Sequence, residues 1–263
     1  MQSLPTHCAD ACIVDPPYNM SKKKGLAWAF SSHVTMQETW DRFSDDEYFQ
    51  FCVRWLSEVR RLVKPNGNLF VFGTYHNIYT LGFILQMMDL KILNSIIWMK
   101  PNAQPNITCR MFTESTEQLI WACNNNRKKA SGWTFNYSQA KEINAGKQMR
   151  NLWTFPLTAK SERIASHPSQ KPLALMERVV CLTTRPGDWI LDPFAGVGTT
   201  AVAAARHGRK FIVIEKEKRY ADAHKERFKK EGLLSTISFL SASELKRPKT
   251  HRAKQERSPN LNV

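Results

Sequence analysis

Nowhere in this chain do about 18 apolar residues stand together, the length that a membrane-crossing helix needs. The first residues also lack the basic, apolar and small-residue layout of a secretory leader, so a soluble intracellular protein is expected. Paired cysteines are missing too: the six, at positions 8, 12, 52, 109, 123 and 181, show no CxxC spacing and no regular framework. Cys8 and Cys12 have no second pair of cysteines or histidines at ligand spacing, so no metal is expected and the thiols read as reduced and structural. No segment repeats at a fixed period, which argues against a solenoid. Negative charge is also scarce. Against 38 Lys and Arg stand 23 acidic side chains, for a net charge of +15 and a pI near 9.7. A polyanionic partner is the usual reason for such an excess, with a solvated basic surface as the plainer reading.

What is present is an alternation of helical and strand patterns. With 263 residues and 42% hydrophobic content, the chain can form one large α/β domain with a full core, plus an insertion and a tail. Helical spacing from Asp45 to Leu62 ends at Lys64-Pro65-Asn66-Gly67, and a buried strand is expected at Leu69–Phe72. A helix from about Asn77 to Met88, a strand from Ile92 to Trp98 and another from Glu117 to Ala122 follow. From about Asn124 to Ser166 the periodicity lapses, as in an irregular insertion. Helix returns at Lys171–Thr183, then strand 189–192, helix 198–207, strand Phe211–Glu215 and a charged helix to about Lys230. This reads as a doubly wound, mostly parallel sheet. It divides the chain into 1–123, an insertion 124–166, a second half 167–242 and a basic tail 243–263 with almost nothing to bury.

Two strand ends carry chemistry. Asp15-Pro16-Pro17-Tyr18 follows the apolar run Ala11–Val14, and Asp192-Pro193-Phe194-Ala195-Gly196-Val197-Gly198-Thr199-Thr200 follows Trp189-Ile190-Leu191. In an open α/β sheet, ligands sit beyond the carboxyl ends of the strands, so both segments can face one pocket. Gly196 and Gly198 allow close backbone approach, and Glu215, about twenty residues on, is placed to accept both ribose hydroxyl protons. No lysine follows the glycines and Asp192 would repel a pyrophosphate, so a phosphate site fails. Adenosine joined to a zwitterionic methionine suits better, with Asp192 near its ammonium end. Alone, a glycine turn can be mere packing, and Asp-Pro-Pro-Tyr an ordinary surface turn.

Together the two segments resemble the S-adenosylmethionine-dependent amino-methyltransferases that act on DNA bases. The catalytic motif precedes the cofactor motif, as in their permuted β arrangement of the Rossmann-like class I methyltransferase fold. The resemblance runs from about residue 4 to 232. Lys64-Pro65-Asn66-Gly67, Asn102–Arg110, Thr113–Glu117 and Asn144–Trp153 look most like the adenine-N6 enzymes that accompany GATC restriction systems. It implies that Asp15 and the Pro16 carbonyl receive the amine hydrogens of a flipped adenine, that Pro17 helps stiffen the loop, and that Tyr18 stacks on the base. His167-Pro168-Ser169-Gln170-Lys171-Pro172 matches the family's segment beside the cofactor's methionine moiety; His167, Ser169, Gln170 and Lys171 are its expected contacts. Read plainly, Ser169 would cap a helix.

In the insertion, the resemblance implies target recognition, with Arg127, Lys128, Lys129, Lys147 and Arg150 as expected DNA contacts among interspersed aromatic residues. Lys22, Lys23 and Lys24, just after Tyr18, suit a loop closing over the flipped base. The expected partner is DNA, with a homodimer and a cognate restriction endonuclease as further expectations, in a bacterial cytoplasm. Family members usually carry another strand and helix before Asp-Pro-Pro-Tyr, so a weakened cofactor pocket is expected. Cytosine-N4 methylation and a truncated, non-catalytic DNA-binding protein are the alternative readings.

Overall fold

The computed structural model describes residues 1–20, 41–106, 108–164, 167, 169–234 and 238. The elements run β1 (Ala9–Val14), α1 (Asp45–Leu62), β2 (Val63–Gly73), α2 (Ile78–Met87), β3 (Leu90–Met99), β4 (Thr116–Asn126), α3 (Tyr137–Ile143), β5 (Leu152–Thr154), α4 (Leu173–Thr183), β6 (Trp189–Asp192), α5 (Thr199–Arg206), β7 (Lys210–Val213) and α6 (Lys218–Lys230). One sheet orders them β5-β3-β4-β2-β1-β6-β7. β4 pairs antiparallel with both β2 and β3, while the other neighbours pair parallel.

Alternation along the central strands builds two cores. Cys12, Val14, Leu69 and Val71 face α1 and α2, whereas Ile13, Phe70 and Phe72 face α4 and α5. A strand buried on both faces has no polar side, which is why these segments read as continuous apolar runs. α1 starts on a capping box in which the Ser44 side chain accepts from the Glu47 amide and Glu47 from the Ser44 amide. Acidic residues fill its first turn and Arg60 and Arg61 its last, matching the helix dipole. Its buried stripe, Tyr48, Cys52, Trp55, Leu56, Val59 and Leu62, recurs at helical spacing.

The strand order reverses between β1 and β6, where Cys12 lies opposite Leu191. From β1 the chain goes outward to β2, and from β6 outward the other way to β7, opening a crevice at their carboxyl ends. Asp15 follows the last residue of β1, and Asp192 ends β6.

Several boundaries depart from the sequence expectation. β2 begins at Val63 and continues through Lys64-Pro65-Asn66-Gly67, with Asn66 at φ 63 and a register shift against β1 absorbing the irregularity. β4 runs on to Asn126, so the division at 123/124 falls inside a strand. The segment 124–166 is not wholly irregular either: it contributes α3 and β5, and β5 pairs with β3 as a sheet edge, burying Trp153. α4 begins at Leu173 rather than Lys171, with no side-chain cap, so Ser169 is not its cap; Glu162 instead accepts from the Leu173 amide at 2.8 Å. The six cysteines form no disulfide, and among the described residues no cluster of metal-ligating side chains occurs. No described helix is long and apolar enough to cross a membrane. The expected loop at Lys22, Lys23 and Lys24 and the tail 243–263 lie outside the described residues.

Candidate active site

A cavity of about 360 Å³ opens at the switch point, within the usual size of small-molecule clefts. Asp15, Pro16, Pro17 and Tyr18 line one side, and Asp192 through Val197, Thr199, Thr200 and Glu215 the other, with His167, Ser169, Gln170 and Lys171 between. The two signatures, far apart in sequence, therefore share one space.

On the β6 side a strained turn is held by its own side chains. Gly196 (φ 52) and Gly198 (φ 79) adopt left-handed backbone, and a β-carbon on Gly196 would lie 2.8 Å from His167 Nε2. The Gly196 amide donates to Glu215 Oε2 at 2.7 Å, and its carbonyl lies 2.7 Å from His224 Nε2. Glu215 Oε1 accepts from the Glu217 amide at 2.7 Å. Each Glu215 oxygen thus keeps lone-pair capacity toward the cavity. Asp192 accepts from Thr200 Oγ1 at 2.6 Å and from the Phe194 amide at 3.1 Å, locking the turn. Burial pushes the Asp192 carboxyl up to about 7, against those two hydrogen bonds and with help from the charges of Asp15 and Glu215. Burial likewise raises Glu215 and holds His167 down at about 4, so that the imidazole is neutral near pH 7.

These residues fit S-adenosylmethionine better than a phosphate ligand. Two carboxylates, Asp192 and Glu215, border the cavity, hostile to an anion and suited to a cationic ligand carrying ribose hydroxyls. Phe194 turns its ring onto Trp55 of α1, edge-on with centroids 5.7 Å apart, and so anchors the turn to the core. Gln170 spends its side chain on the backbone of residues 162 and 164, bracing the loop before α4. Ser169 lines the cavity, its amide donating to His167 Nδ1.

On the β1 side, Asp15 Oδ1 accepts from the Tyr18 hydroxyl at 2.6 Å and Oδ2 from Lys171 Nζ at 2.7 Å. The Tyr48 hydroxyl, itself held by Asn77, donates to the Pro17 carbonyl at 2.8 Å. Among the described residues no donor reaches the Pro16 carbonyl. Asp41 closes the loop by accepting from the Asn19 and Met20 amides.

Lys171 is where the structure adds most to the sequence reading. Expected at the cofactor, it lines the shared cavity and also reaches Asp15, and its ammonium lies 3.3 Å from Glu117 Oε2. Glu117 is held in turn by Lys100 at 3.2 Å and touched by the Tyr18 hydroxyl at 3.3 Å. Burial opposes the charge on Lys171, yet Asp15 and Glu117 outweigh it and hold the ammonium above its ordinary range. Burial also opposes ionisation of Glu117, but Lys171 and Lys100 bring its carboxyl below the usual value. For Asp15 burial prevails and the carboxyl is raised. Glu117 and Lys100 were not singled out from sequence. For Glu117 the signal was the Thr113–Glu117 run at the start of an expected strand, and for Lys100 there was none.

The expected DNA contacts separate into two groups. Lys147 and Arg150 line a second cavity, of about 370 Å³, with Trp153 and Arg178 along the β5 edge. Arg127, Lys128 and Lys129 follow the far end of β4, ten residues and hence about 30 Å along the strand from Glu117. There Arg127 is tied to Asp89 and the Gln86 carbonyl. These three do not join the site, because β4 runs antiparallel and carries them to the opposite end of the sheet.

Residues 9–226 match the model of the N6/N4 DNA methylase family. The chain is 43% identical over 233 residues to the Type II methyltransferase M2.LlaDCHI of Lactococcus lactis subsp. cremoris, covering 88% of this chain and 86% of that protein. It is 43% identical over 226 residues to the Type II methyltransferase M2.DpnII of Streptococcus pneumoniae, covering 85% and 83% respectively. Among solved structures it resembles the M1.HpyAVI–SAM complex, with a TM-score of 0.64 and 30% identity over 86% of this chain and 90% of that one. It shares a fold with the cytosine-N4-specific PvuII DNA methyltransferase, with a TM-score of 0.68 and 19% identity over 90% and 84%. On a family match across most of its length and relatives at this identity, the chain belongs to the N6/N4 DNA methylase family.

Proposed function

We propose that this protein is an S-adenosylmethionine-dependent DNA methyltransferase acting on the N6 amine of an adenine flipped out of the duplex. The observation that carries this reading is that Asp15 and Pro16, whose carbonyl meets no donor among the described residues, line one cavity with Gly196 and Val197 of the glycine turn. An aromatic amine is a poor nucleophile because its lone pair is delocalised into the ring. Acceptors aimed at its N–H groups let the nitrogen pyramidalise, and Asp15 and Pro16 supply two of them from a loop stiffened by two prolines. Tyr18 offers its ring to the base. When bound, S-adenosylmethionine supplies the electrophilic methyl group. Glu215 would hold its ribose, and the Gly196–Gly198 turn, Asp192 and His167 would border the remainder. After transfer the amine sheds a proton, and Asp15, whose proton affinity burial raises, is the base beside it.

A duplex base is unreachable in place, so the nucleotide must leave the stack. Lys147 and Arg150 are assigned to DNA phosphates along the β5 edge. The naming of two relatives as Type II methyltransferases supports a place in a restriction system, beside an endonuclease acting on the same sequence. A homodimer is a further part of this reading. The test is incubation of the protein with radiolabelled S-adenosylmethionine and DNA, followed by chromatography of the nucleosides. Label in N6-methyl-2′-deoxyadenosine is expected. Label in N4-methyl-2′-deoxycytidine would move the substrate to cytosine, and absence of S-adenosylmethionine binding in calorimetry would favour a non-catalytic DNA-binding protein.

A further inference from the structure

We infer that Lys171 is the positioning residue for Asp15, held in place by Glu117 and Lys100 as a four-charge relay behind the acceptor. The inference rests on the methyltransferase reading of the cavity and deepens it. It gives Lys171 a role beside its expected place at the cofactor.

A carboxylate that must meet two moving N–H groups needs a fixed orientation and a charge. Tyr18 and Lys171 each take one oxygen of Asp15, at 2.6 and 2.7 Å, which fixes rotation of the carboxylate while leaving lone pairs for the amine. Lys171 is 6% exposed and enclosed: Asp15 and Glu117 meet its ammonium, and the rings of Tyr18 and Phe72 lie 5.2 and 5.5 Å away. Glu117 is kept by a second buried cation, Lys100. Two anions and two cations thus balance, and Asp15 and Lys171 stand at the cavity wall rather than in the core. Burying charge merely to stabilise a fold is a poor use of it, because desolvation offsets most of the attraction.

The groups facing Asp15 come from five places: Tyr18 on its own loop, Lys171 before α4, Glu117 on β4, Lys100 past β3 through Glu117, and Asp192 ending β6. Their signs make the inference specific. Lys171 lowers the proton affinity of Asp15, whereas Glu117 raises it. Removing the cation must therefore shift Asp15 one way, and removing the neighbouring anion the other. A packing defect has no such sign.

The experiment compares wild type, K171M, K171R and E117Q in single-turnover methyl transfer to DNA across pH, with calorimetric S-adenosylmethionine affinity beside it. In K171M the acidic limb is expected to move up by about 1–3 pH units, the span of an opposite charge removed from an aspartate. The plateau rate should fall about a hundredfold, as for loss of a preorganised electrostatic contact. In E117Q the limb should move down. K171R should keep the limb near wild type at a reduced rate, since the charge stays but the planar guanidinium does not fit the same enclosure. Cofactor affinity should change less than about twofold in all of them, far below one decade per 1.4 kcal/mol. A readout free of cofactor and DNA is the Asp15 carboxyl carbon followed by NMR, which should titrate higher in K171M and lower in E117Q. If K171M does not fold, the downward shift in E117Q and the preserved limb in K171R decide. Unshifted limbs in folded variants, or a loss confined to cofactor affinity, would overturn the inference. Absence of methyl transfer by the wild type would overturn the parent reading instead.

Discussion

The Tyr48 hydroxyl donates to the Pro17 carbonyl at 2.8 Å, whereas no donor among the described residues reaches the neighbouring Pro16 carbonyl. Tyr48 belongs to the buried stripe of α1, and Asn77 donates to its oxygen at 3.0 Å. The helix therefore indexes the catalytic loop. Tyr48→Phe should destabilise the protein by about 1–3 kcal/mol, the cost of an unsatisfied buried acceptor, and slow methyl transfer with cofactor affinity unchanged. Thermal unfolding and single-turnover rates check this, and wild-type values for both would remove the helix from any role in aiming the loop.

Asp15→Ala should abolish methyl transfer while leaving S-adenosylmethionine binding nearly intact, since Asp15 is proposed to meet the amine rather than the cofactor's ribose. Transfer of radiolabel at the wild-type rate would refute the catalytic assignment.

Glu215→Ala should weaken S-adenosylmethionine by roughly 1.5–3 kcal/mol, the scale for hydrogen bonds to a charged group. Because Glu215 also receives the Gly196 amide, the glycine turn should loosen in the same variant. Calorimetry showing equal affinity would end the ribose role.

Asp192 gives a pH dependence whose sign is fixed. Its carboxyl sits at about 7 in the folded protein, and a cationic ligand favours the ionised form. Affinity for S-adenosylmethionine should thus rise with pH up to about 7, by at most about tenfold per unit, and then level off. S-adenosylhomocysteine, which keeps the ammonium near Asp192, should show the same trend. Two flat profiles would disconnect Asp192 from the ligand.

DNA affinity should fall with salt, and Lys147→Ala or Arg150→Ala should each lessen the log–log slope by about 0.9, one phosphate contact. Arg127→Ala should leave it unchanged, since Arg127 is tied to Asp89 and Gln86 at the opposite end of the sheet. The reverse pattern in a binding titration would place the duplex on the other side of the molecule.

Local chemistry was enough for much of this protein. The stripe at Asp45–Leu62 and the apolar runs at Ala11–Val14 and Trp189–Leu191 declare their elements, because burial period and turn residues act within a few positions. Asp15 and Asp192 could be placed at strand ends, and Gly196 at a tight turn, for the same reason. Only the tertiary structure decided which charges meet. Lys171 stands 156 positions from Asp15, and its meeting with that carboxylate depends on where the chain enters α4. Glu117 and Lys100 join because the antiparallel β4 begins beside the end of β3, and that same direction carries Arg127 away. Strand order and strand direction are collective results of packing, and no side chain's neighbours in sequence encode them.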